Sequence, residues 1–298
     1  MSTIPEPKSR GFDFNMLAVY VLLVVFAAIT LVPFIYLLFS AFKSTDSFFS
    51  FVLWPIEPGT IEEPSPWYAV DWTGFTFDNW KTLFLEAGIL RATVNSFFIS
   101  SVTAILATLF SAMGGYALAK YRFKGRGPTT WIVLGSLAIP FALLIAPGYQ
   151  LLYRLGLLDT YTGLILPGVA PAFGVYLFRQ AFISSLPDAL IEAARIDGCG
   201  DVRIFFQIAL PMVRPMIGAF LLITYLATWN NFISPQIVIQ SADKLPLSVF
   251  VAQLRGPYGT SWGMIMAGTL VAVTPVLVLF LMLQRDFIAG LTAGAVKG

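Results

Sequence analysis

The sequence predicts an all-α polytopic membrane protein with six transmembrane helices and with its N- and C-termini in the cytoplasm. Three observations carry this prediction: an apolar composition, six long intervals without charge, and an uneven distribution of Lys and Arg. Apolar residues make up 57% of the chain and charged residues only 11%, with a mean hydropathy of +0.80. The surface of a soluble domain of 298 residues needs more charge than this.

Each charge-free interval is predicted to be one span. An interval of this kind holds about 20 helical residues, the length that crosses the hydrocarbon core. A Lys, Arg or Asp at the centre of a span costs about 2.5–3.5 kcal/mol, so the absence of charge is informative. The intervals are residues 14–42, 92–119, 127–153, 160–178, 215–242 and 256–284. The first is too long for the apolar region of a signal peptide, and no small-residue cleavage pattern follows it.

Lys and Arg give the orientation. With a cytoplasmic N-terminus, twelve of them lie on the inner side and six on the outer side, and "KYRFKGRG" alone contributes four. This asymmetry follows the positive-inside rule. The predicted organisation is a cytoplasmic tail at 1–15, a six-helix transmembrane domain at 16–284 and a cytoplasmic tail at 285–298, with periplasmic loops at 43–90 and 235–261 and a cytoplasmic loop at 180–214.

The composition also excludes several chemistries. The chain has no His, and Cys199 is its single Cys, so an internal disulfide, a Cys–His metal site and a His-based catalytic triad are excluded. No GxxxxGK[ST] motif occurs, so the chain has no P-loop for ATP. A net charge of +2 is too small to indicate a nucleic-acid partner. We expect no metal and no cofactor bound by this chain, and no catalytic residue.

Prolines and small residues within the spans predict kinks and close packing. Ser111, Gly115 and Ala119 form a series spaced by four that lets another helix approach closely. Proline removes a backbone donor, and neighbouring helices or a wet cavity must satisfy the freed carbonyl groups. Kinks are predicted at Pro140, Pro147, Pro167, Pro171 and Pro275.

Polar residues within the spans are few. For Asn95 and Gln150 we expect interhelical packing, the commoner fate of such residues. For Trp229, Asn230 and Asn231 in "TWNNF", packing and the lining of a translocation pathway both stay open. The aromatic- and proline-rich loop between the first two spans is either a cap on the bilayer surface or a contact for an external partner.

The charged loop between the fourth and fifth intervals contains its own helix signals. "SLPD" predicts Ser185 as N-cap in a capping box with Asp188, and Pro187 in the first turn. Gly198 and Gly200 can adopt positive φ and end the helix. The result is a helix of about three turns outside the membrane.

One face of that helix is predicted to be flat. Leu190, Ala193 and Ala194 occupy positions i, i+3 and i+4, and two alanines let another protein come close. The alternative is an interfacial helix in which Glu192 pairs with Arg195.

These residues resemble the EAA loop of ABC importer permeases. The pattern is Glu192-Ala193-Ala194, three residues, Gly198, nine residues, Ile208, one residue and then Leu210-Pro211. Further stretches are similar to the carbohydrate-uptake branch, specifically the maltose-type permease with six spans: "LGLLDTYTGLILP", "TWNNF", "LPLSVFVAQLRGPYGTSWGMIMAG" and "QRDFIAGLTAGAVKG". The resemblance covers nearly the whole chain from about residue 16, with nothing carried over to residues 54–73.

The resemblance implies a role for each site residue. Glu192 would make a polar contact with a cytoplasmic ATPase, Ala193 and Ala194 would permit the close fit, and Gly198 would make the turn. Leu210 and Pro211 would end the second helix. Two further groups are expected to be functional: Trp229, Asn230 and Asn231 in the pathway, and Gly294 and Lys297 of the tail against the ATPase.

The resemblance also implies partners. They are a second homologous permease, two cytoplasmic ATP-binding subunits that bind ATP and Mg, an external substrate-binding protein, membrane lipid and a transported sugar or oligosaccharide. The expected location is the inner membrane of a prokaryote. Two other function classes stay open from the residues alone. One is an ATP-independent secondary carrier or channel, although no ionisable residue marks an ion path within a span. The other is a membrane-embedded enzyme or scaffold with a catalytic Glu192.

Overall fold

The computed structural model describes residues 14–49, 53–56, 66–256 and 259–295. Helices dominate this part of the chain, as predicted, and the one strand pair in it joins β1 (Arg255–Gly256) to β2 (Gly259–Thr260). The chain divides into two compact units, Met1–Leu83 with Thr260–Leu270, and Phe84–Gly259 with Val271–Gly298. The long helix α14 (Trp262–Ala295) contributes to both.

The first unit contains the N-terminal helix and the described part of the predicted outer loop. Its helix α1 (Phe14–Ser40) contains no charged residue. The loop forms a 3₁₀ turn (Trp72–Gly74), α2 (Asp78–Lys81) and the first residues of a π-helical turn (Thr82–Glu86) that continues into the second unit. Asn79 Nδ2 donates to the carbonyl oxygens of Ala41 and Lys43 at 3.1 and 2.8 Å, so the loop folds back onto the end of α1. Residues 57–65 of the loop lie outside the described residues.

The second unit consists of helices and short helical turns. The helices are α3 (Ile89–Lys120), α4 (Arg126–Ser136), α5 (Phe141–Arg154), α6 (Tyr161–Ile165), α7 (Ala172–Ser185), α8 (Asp188–Ile196), α9 (Asp201–Ile204), α10 (Leu210–Met212), α11 (Arg214–Trp229), α12 (Ile233–Val238) and α13 (Leu247–Gln253). The turns are 3₁₀ at Leu166–Gly168 and Ala242–Lys244 and π-helical at Phe205–Ala209.

Three of the predicted spans are single long helices. Met16–Ser40, Ile89–Lys120 and Trp262–Met282 are long and apolar enough to cross a membrane. The remaining segments of this kind are bent pairs: α4 with α5 at 105°, Tyr161–Gly168 with α7 at 41°, and Asp201–Met212 with α11 at 83°. Within the described residues, the number of candidate spans is therefore three, or up to six if each bent pair is one span.

The prediction of one helix per interval is wrong for the third, fourth and fifth intervals. Pro140 and Pro171 are the N-caps of α5 and α7, with extended ψ of 131° and 134°. Proline lacks the N–H of the helical ladder and disfavours helical φ/ψ in the residue before it, which favours a break at these two positions. The fifth interval divides at Asn230–Phe232 into α11 and α12. Pro147 and Pro275, in contrast, lie inside continuous helices.

The centre of the second unit is the contact of α3 with α7, and small residues make it close. A Cβ built on Gly115 would lie 2.6 Å from the backbone N of Arg179 and 2.7 Å from Phe178 Cβ. A Cβ on Gly174 would overlap Ser111, which is fully buried. The prediction of close packing at Ser111 and Gly115 is confirmed.

Gly115→Val is expected to destabilise the protein by about 1–3 kcal/mol, because the new side chain meets backbone atoms that cannot move aside. The measurement is thermal unfolding of the purified chain in detergent. Gly218→Ala is the matched control, since a Cβ on this helical glycine would have no neighbour within 4 Å. It should leave the midpoint unchanged or raise it, and an equal fall in both variants would contradict the packing argument.

Candidate functional site: the charged loop and the outer clamp

The helix of the charged loop begins later than predicted. Ser185 is the last residue of α7, and α8 starts at Asp188 after the extended residue Pro187, with no side-chain cap. The predicted capping box of Ser185 and Asp188 is therefore wrong. Proline favours the position before the first helical turn, and the Asp188 carboxylate is held by Lys120 instead.

Gly198 ends α8 as predicted, and Gly200 does not share this role. Gly198 adopts φ +78°, and the N–H of Cys199 donates to the Ala194 carbonyl at 2.9 Å. This left-handed residue closes the helix with a bond back into its last turn. Gly200 has φ −72° and is the N-cap of α9, so the prediction of positive φ there is wrong.

The predicted flat face of α8 is divided between core and surface. Ala194 and Ile191 are buried at 6% and 5% exposure in a core cluster with Ile204 and Phe205. Burial of two apolar side chains sets the rotation of the helix. The exposed face, spaced i, i+3, i+4 and i+7, consists of Ala189, Glu192, Ala193 and Ile196. Ile196 is an aliphatic side chain with 86% exposure.

A buried lysine fixes the start of α8 to the end of α3. Lys120 Nζ donates to the Leu186 carbonyl and, at 2.7 Å, to Asp188 Oδ1. The Lys120 side chain is only 8% exposed, and its hydrogen bond lowers the pKa of the Asp188 carboxyl. Arg126 Nε and Nη2 donate to the Leu118 and Ala119 carbonyls at 2.8 and 2.9 Å, which satisfies the last turn of α3.

The ion pair of the loop differs from the alternative considered above. Arg195 pairs with Asp201 at 3.0 Å across the Gly198 turn, whereas Glu192 is exposed and is not its partner. The Asp201 hydrogen bond raises the pKa of the Arg195 guanidinium. Leu210 is half-buried and Pro211 exposed, and α10 ends at Met212, one residue beyond Pro211.

The "TWNNF" residues have three different environments. Trp229 is 4% exposed, donates from Nε1 to the Ala272 carbonyl at 3.1 Å and stacks on Tyr225. Asn230 is exposed and bonds back to the Leu226 carbonyl at 2.9 Å. Asn231 bonds Ser234 at 3.2 Å and lines a cavity of about 20 Å³ with Ser96, Ser100 and Thr228, room for about one water.

The two other polar residues singled out within the spans, Asn95 and Gln150, also differ in their burial. Asn95 is buried, donates to the carbonyls of Asp243 and Leu245 at 3.0 Å each, and accepts from the Tyr161 hydroxyl at 2.9 Å. Its predicted packing role is confirmed. Gln150 lies exposed on α5, so the same prediction is wrong for packing within the chain.

Sequence reasoning missed a carboxylate clamp on the second unit. Asp159, at φ +56°, accepts at Oδ1 from the N–H groups of Gln240 and Ser241 at 3.0 and 2.9 Å. Its Oδ2 accepts from the Ser241 hydroxyl and from Lys244 Nζ, the latter at 2.9 Å. The bonds from Ser241, then those from Lys244 and Gln240, hold the pKa of Asp159 far below its usual value. The only signal was the quoted "LDTYTG", in which an Asp can adopt the left-handed region.

The C-terminal candidates are at the edge of the described chain. Gly294 belongs to the last turn of α14, which ends at Ala295. Lys297 lies outside the described residues.

Known transport proteins match most of this chain in sequence. Residues 104–289 match the family described as "Binding-protein-dependent transport system inner membrane component". The arabinooligosaccharides transport system permease protein AraQ of Halalkalibacterium halodurans is 44% identical over 224 residues, 75% of this chain and 80% of that protein. The probable ABC transporter permease protein YurM of Bacillus subtilis is 31% identical over 297 residues, 99% of this chain and 93% of that protein.

A solved structure shares the fold. It is the crystal structure of a bacterial ABC transporter involved in the import of the acidic polysaccharide alginate. The match has a TM-score of 0.75 at 20% identity and covers 94% of this chain and 100% of the matched chain.

Asp159→Ala is expected to free the backbone of Gln240 and Ser241, because their N–H groups lose their acceptor. Hydrogen–deuterium exchange of a peptide spanning residues 238–246 should become faster. The lowered pKa gives the pH dependence: the clamp is complete above the unfolded pKa of about 3.9 and is lost only as pH falls through the lower folded value.

Asp243→Ala is the matched control for this experiment. Asp243 pairs with Arg91 at 2.9 Å, but both side chains are about half exposed or more, at 49% and 64%. Exposed pairs contribute little to stability. Exchange that rises as much in Asp243→Ala as in Asp159→Ala would contradict the clamp.

Proposed function

This chain belongs to the family of inner membrane components of binding-protein-dependent transport systems, and we propose that it imports a sugar or oligosaccharide with a second, homologous permease. It is a non-catalytic, multi-pass permease subunit of an ABC importer. The proposal that this chain couples to an ATP-binding subunit is supported by the charged loop. Its helix α8 exposes a small, partly apolar face, while the opposite face is packed in the core.

The proposed topology follows the distribution of charge. Six spans, each bent pair counted once, connect cytoplasmic tails at 1–15 and 285–298 across a domain at 16–284. The charged loop at 180–214 then faces the cytoplasm, together with "KYRFKGRG". The loops at 43–90 and 235–261 face the external binding protein.

The exposed face of α8 is the proposed contact for a cytoplasmic ATP-binding subunit. Ala189 and Ala193 leave room for a close approach, Glu192 supplies a polar contact, and the exposed Ile196 supplies apolar area. Ala189, Ala193 and Ile196 lie on one face of α8, so their apolar area is contiguous and a partner could cover it. Ala194 has a different role from the one expected: it seats α8 on its own chain.

The Lys120 contact is the proposed route by which a displacement of α8 reaches the spans. One buried ammonium group joins the last turn of α3 to the residues that start α8. Loss of this contact would leave the Lys120 ammonium group, whose side chain is 8% exposed, without its two acceptors. Gly198 and the Arg195–Asp201 pair keep α9 in register with α8, and Leu210 and Pro211 lead on into α11.

The substrate class is proposed from the relatives and not from a formed site. Asn231 and its hydroxyl neighbours offer hydrogen bonds of the kind that sugars use, but their cavity holds about one water. A larger pathway therefore needs the partner permease. Trp229 and Asn230 are proposed to border it, Gly294 and Lys297 to contact the ATPase, and ATP and Mg to be bound by the partner subunits.

The proposed function is tested by co-purification. The chain is tagged, solubilised in a mild detergent with the cells' own partners, and analysed for an ATP-binding subunit and a second permease. Both should be present, and the reconstituted assembly should accumulate labelled oligosaccharide only with ATP and the binding protein. A chain that purifies alone and transports without ATP would be a secondary carrier or channel.

Ala193→Trp is expected to uncouple the assembly, because an indole cannot enter the close contact proposed for this face. Substrate-stimulated ATP hydrolysis in proteoliposomes should fall at least about tenfold, the effect of losing roughly 1.4 kcal/mol of contact. Ala193→Ser is the size-matched control and should retain stimulation. Equal stimulation in the Trp variant would place the ATPase elsewhere on the chain.

A further inference from the structure

A groove lies between α4 and α7 and shares no lining residue with the exposed face of α8 or with the "TWNNF" segment. Its volume is about 480 Å³, and it is open on one side. The lining residues are Arg126, Gly127, Thr130, Trp131, Leu134, Tyr176, Arg179 and Gln180. Neither the loop contact nor the pathway proposed above uses it.

The groove is positively charged and contains no carboxylate. Arg126 and Arg179 are its two charged members. Arg179 Nε is enclosed by protein and has no hydrogen-bond partner among the described residues. A guanidinium that is partly removed from water without an anion carries an uncompensated desolvation cost. Asp188 does not line the groove, and Lys120 binds its carboxylate.

Donors converge on the groove from both helices. Arg126 Nε and Nη2 donate hydrogen bonds to carbonyl groups at the end of α3, so Nη1 is left to bind a ligand in the groove. The Tyr176 hydroxyl accepts from Gln180 Nε2 at 2.7 Å and so keeps its own proton to donate. Two guanidiniums and a phenol form a donor set suited to the oxygens of a phosphodiester.

The surface next to these donors is apolar and exposed. Trp131 and Ile132 on α4 are 75% and 71% exposed. Trp131 follows Arg126 by five residues, about 7.5 Å along the helix axis. Tryptophan is enriched where lipid headgroups meet hydrocarbon. A ligand that fills the groove therefore meets cations at one end and lipid-facing surface at the other.

We infer that the groove between α4 and α7 binds the headgroup of an anionic phospholipid. The phosphodiester lies between Arg126 and Arg179, and the acyl chains run along Trp131 and Leu134. Basic recesses between helices at a membrane surface are typical sites for such lipids. With "KYRFKGRG" and the charged loop in the cytoplasm, the groove would lie at the inner leaflet. That placement rests on the proposed function, whereas the binding itself rests on the geometry of the groove.

The test is native mass spectrometry of the complete transporter, purified through a tag on this chain and delipidated. Phosphatidylglycerol and phosphatidylcholine with identical acyl chains are titrated separately. We expect phosphatidylglycerol to bind preferentially, and Arg179→Gln to weaken its binding about tenfold, the loss of one charge-assisted contact. Arg179→Lys keeps a charge and should keep the preference for phosphatidylglycerol at lower affinity.

Arg154→Gln is the matched control, because it removes an exposed arginine from the end of α5. It should leave phosphatidylglycerol binding unchanged. Four results would each overturn the inference: equal binding of both lipids, full binding by Arg179→Gln, an equal loss in Arg154→Gln, or displacement of the lipid by millimolar inorganic phosphate. Binding to the isolated chain but not to the assembly would assign the groove to the partner permease and would also overturn it.

Thermal unfolding of each variant separates a lost contact from a lost fold. The same preparations report whether an ATP-binding subunit co-purifies, so the proposed function and the lipid site succeed or fail on separate readings.

Discussion

Hydrogen bonds at the two ends of α3 connect two loops, residues 239–246 and the charged loop, to one continuous helix. At one end Asn95 donates to the carbonyls of Asp243 and Leu245, and the Ser96 hydroxyl accepts from the Leu247 N–H at 2.7 Å. At the other end Lys120 binds the link between α7 and α8. A helix of 32 residues is about 48 Å long, enough to reach from one face of a bilayer to the other. The two loops are therefore coupled through a single element.

The packing around α3 explains why that element is well fixed. Gly115 and Gly174 bring α3 and α7 to backbone contact, and a hydrocarbon environment favours this because helix association there depends on close van der Waals contact. In the loop at residues 239–246, hydrogen bonds to one carboxylate hold the backbone instead of close helix packing. Asp159 gathers two N–H groups, a hydroxyl and an ammonium on one carboxylate, which orders the turn that Asn95 then holds.

The sequence predicted the helical class, the apolar segments that form the candidate spans and the family, but not the full path of the backbone. Kinks are predicted at Pro140 and Pro171, and the chain bends there by 105° and 41°. A charge-free interval does not show how far the backbone changes direction, so a complete break into two helices is not predicted. The rotation of α8 could not be predicted either. Ala193 and Ala194 are identical by type, and only the packing of the second helical segment decides that Ala194 is buried. Lys120 was counted only as a marker of orientation, because its partners are 66 and 68 residues away.

The bends have a mechanical consequence if the charged loop receives an ATP-binding subunit. Lys120 ties α8 to α3, and the buried contacts of Ile191 and Ala194 tie it to the core, so a force on α8 cannot be absorbed by tilting that short helix alone. It must displace α3 and the ends of the helices packed on it. A continuous helix transmits such a displacement along its length. Where the helical hydrogen bonds are interrupted, a few residues can change φ and ψ and act as a hinge. The breaks at residues 137–140, 169–171 and 213 are where the bent spans can change direction relative to α3. ATP binding and hydrolysis by the partner would then favour one of two packings of the bent spans against α3. The size of the shift would depend on how the contacts of the two packings differ in free energy.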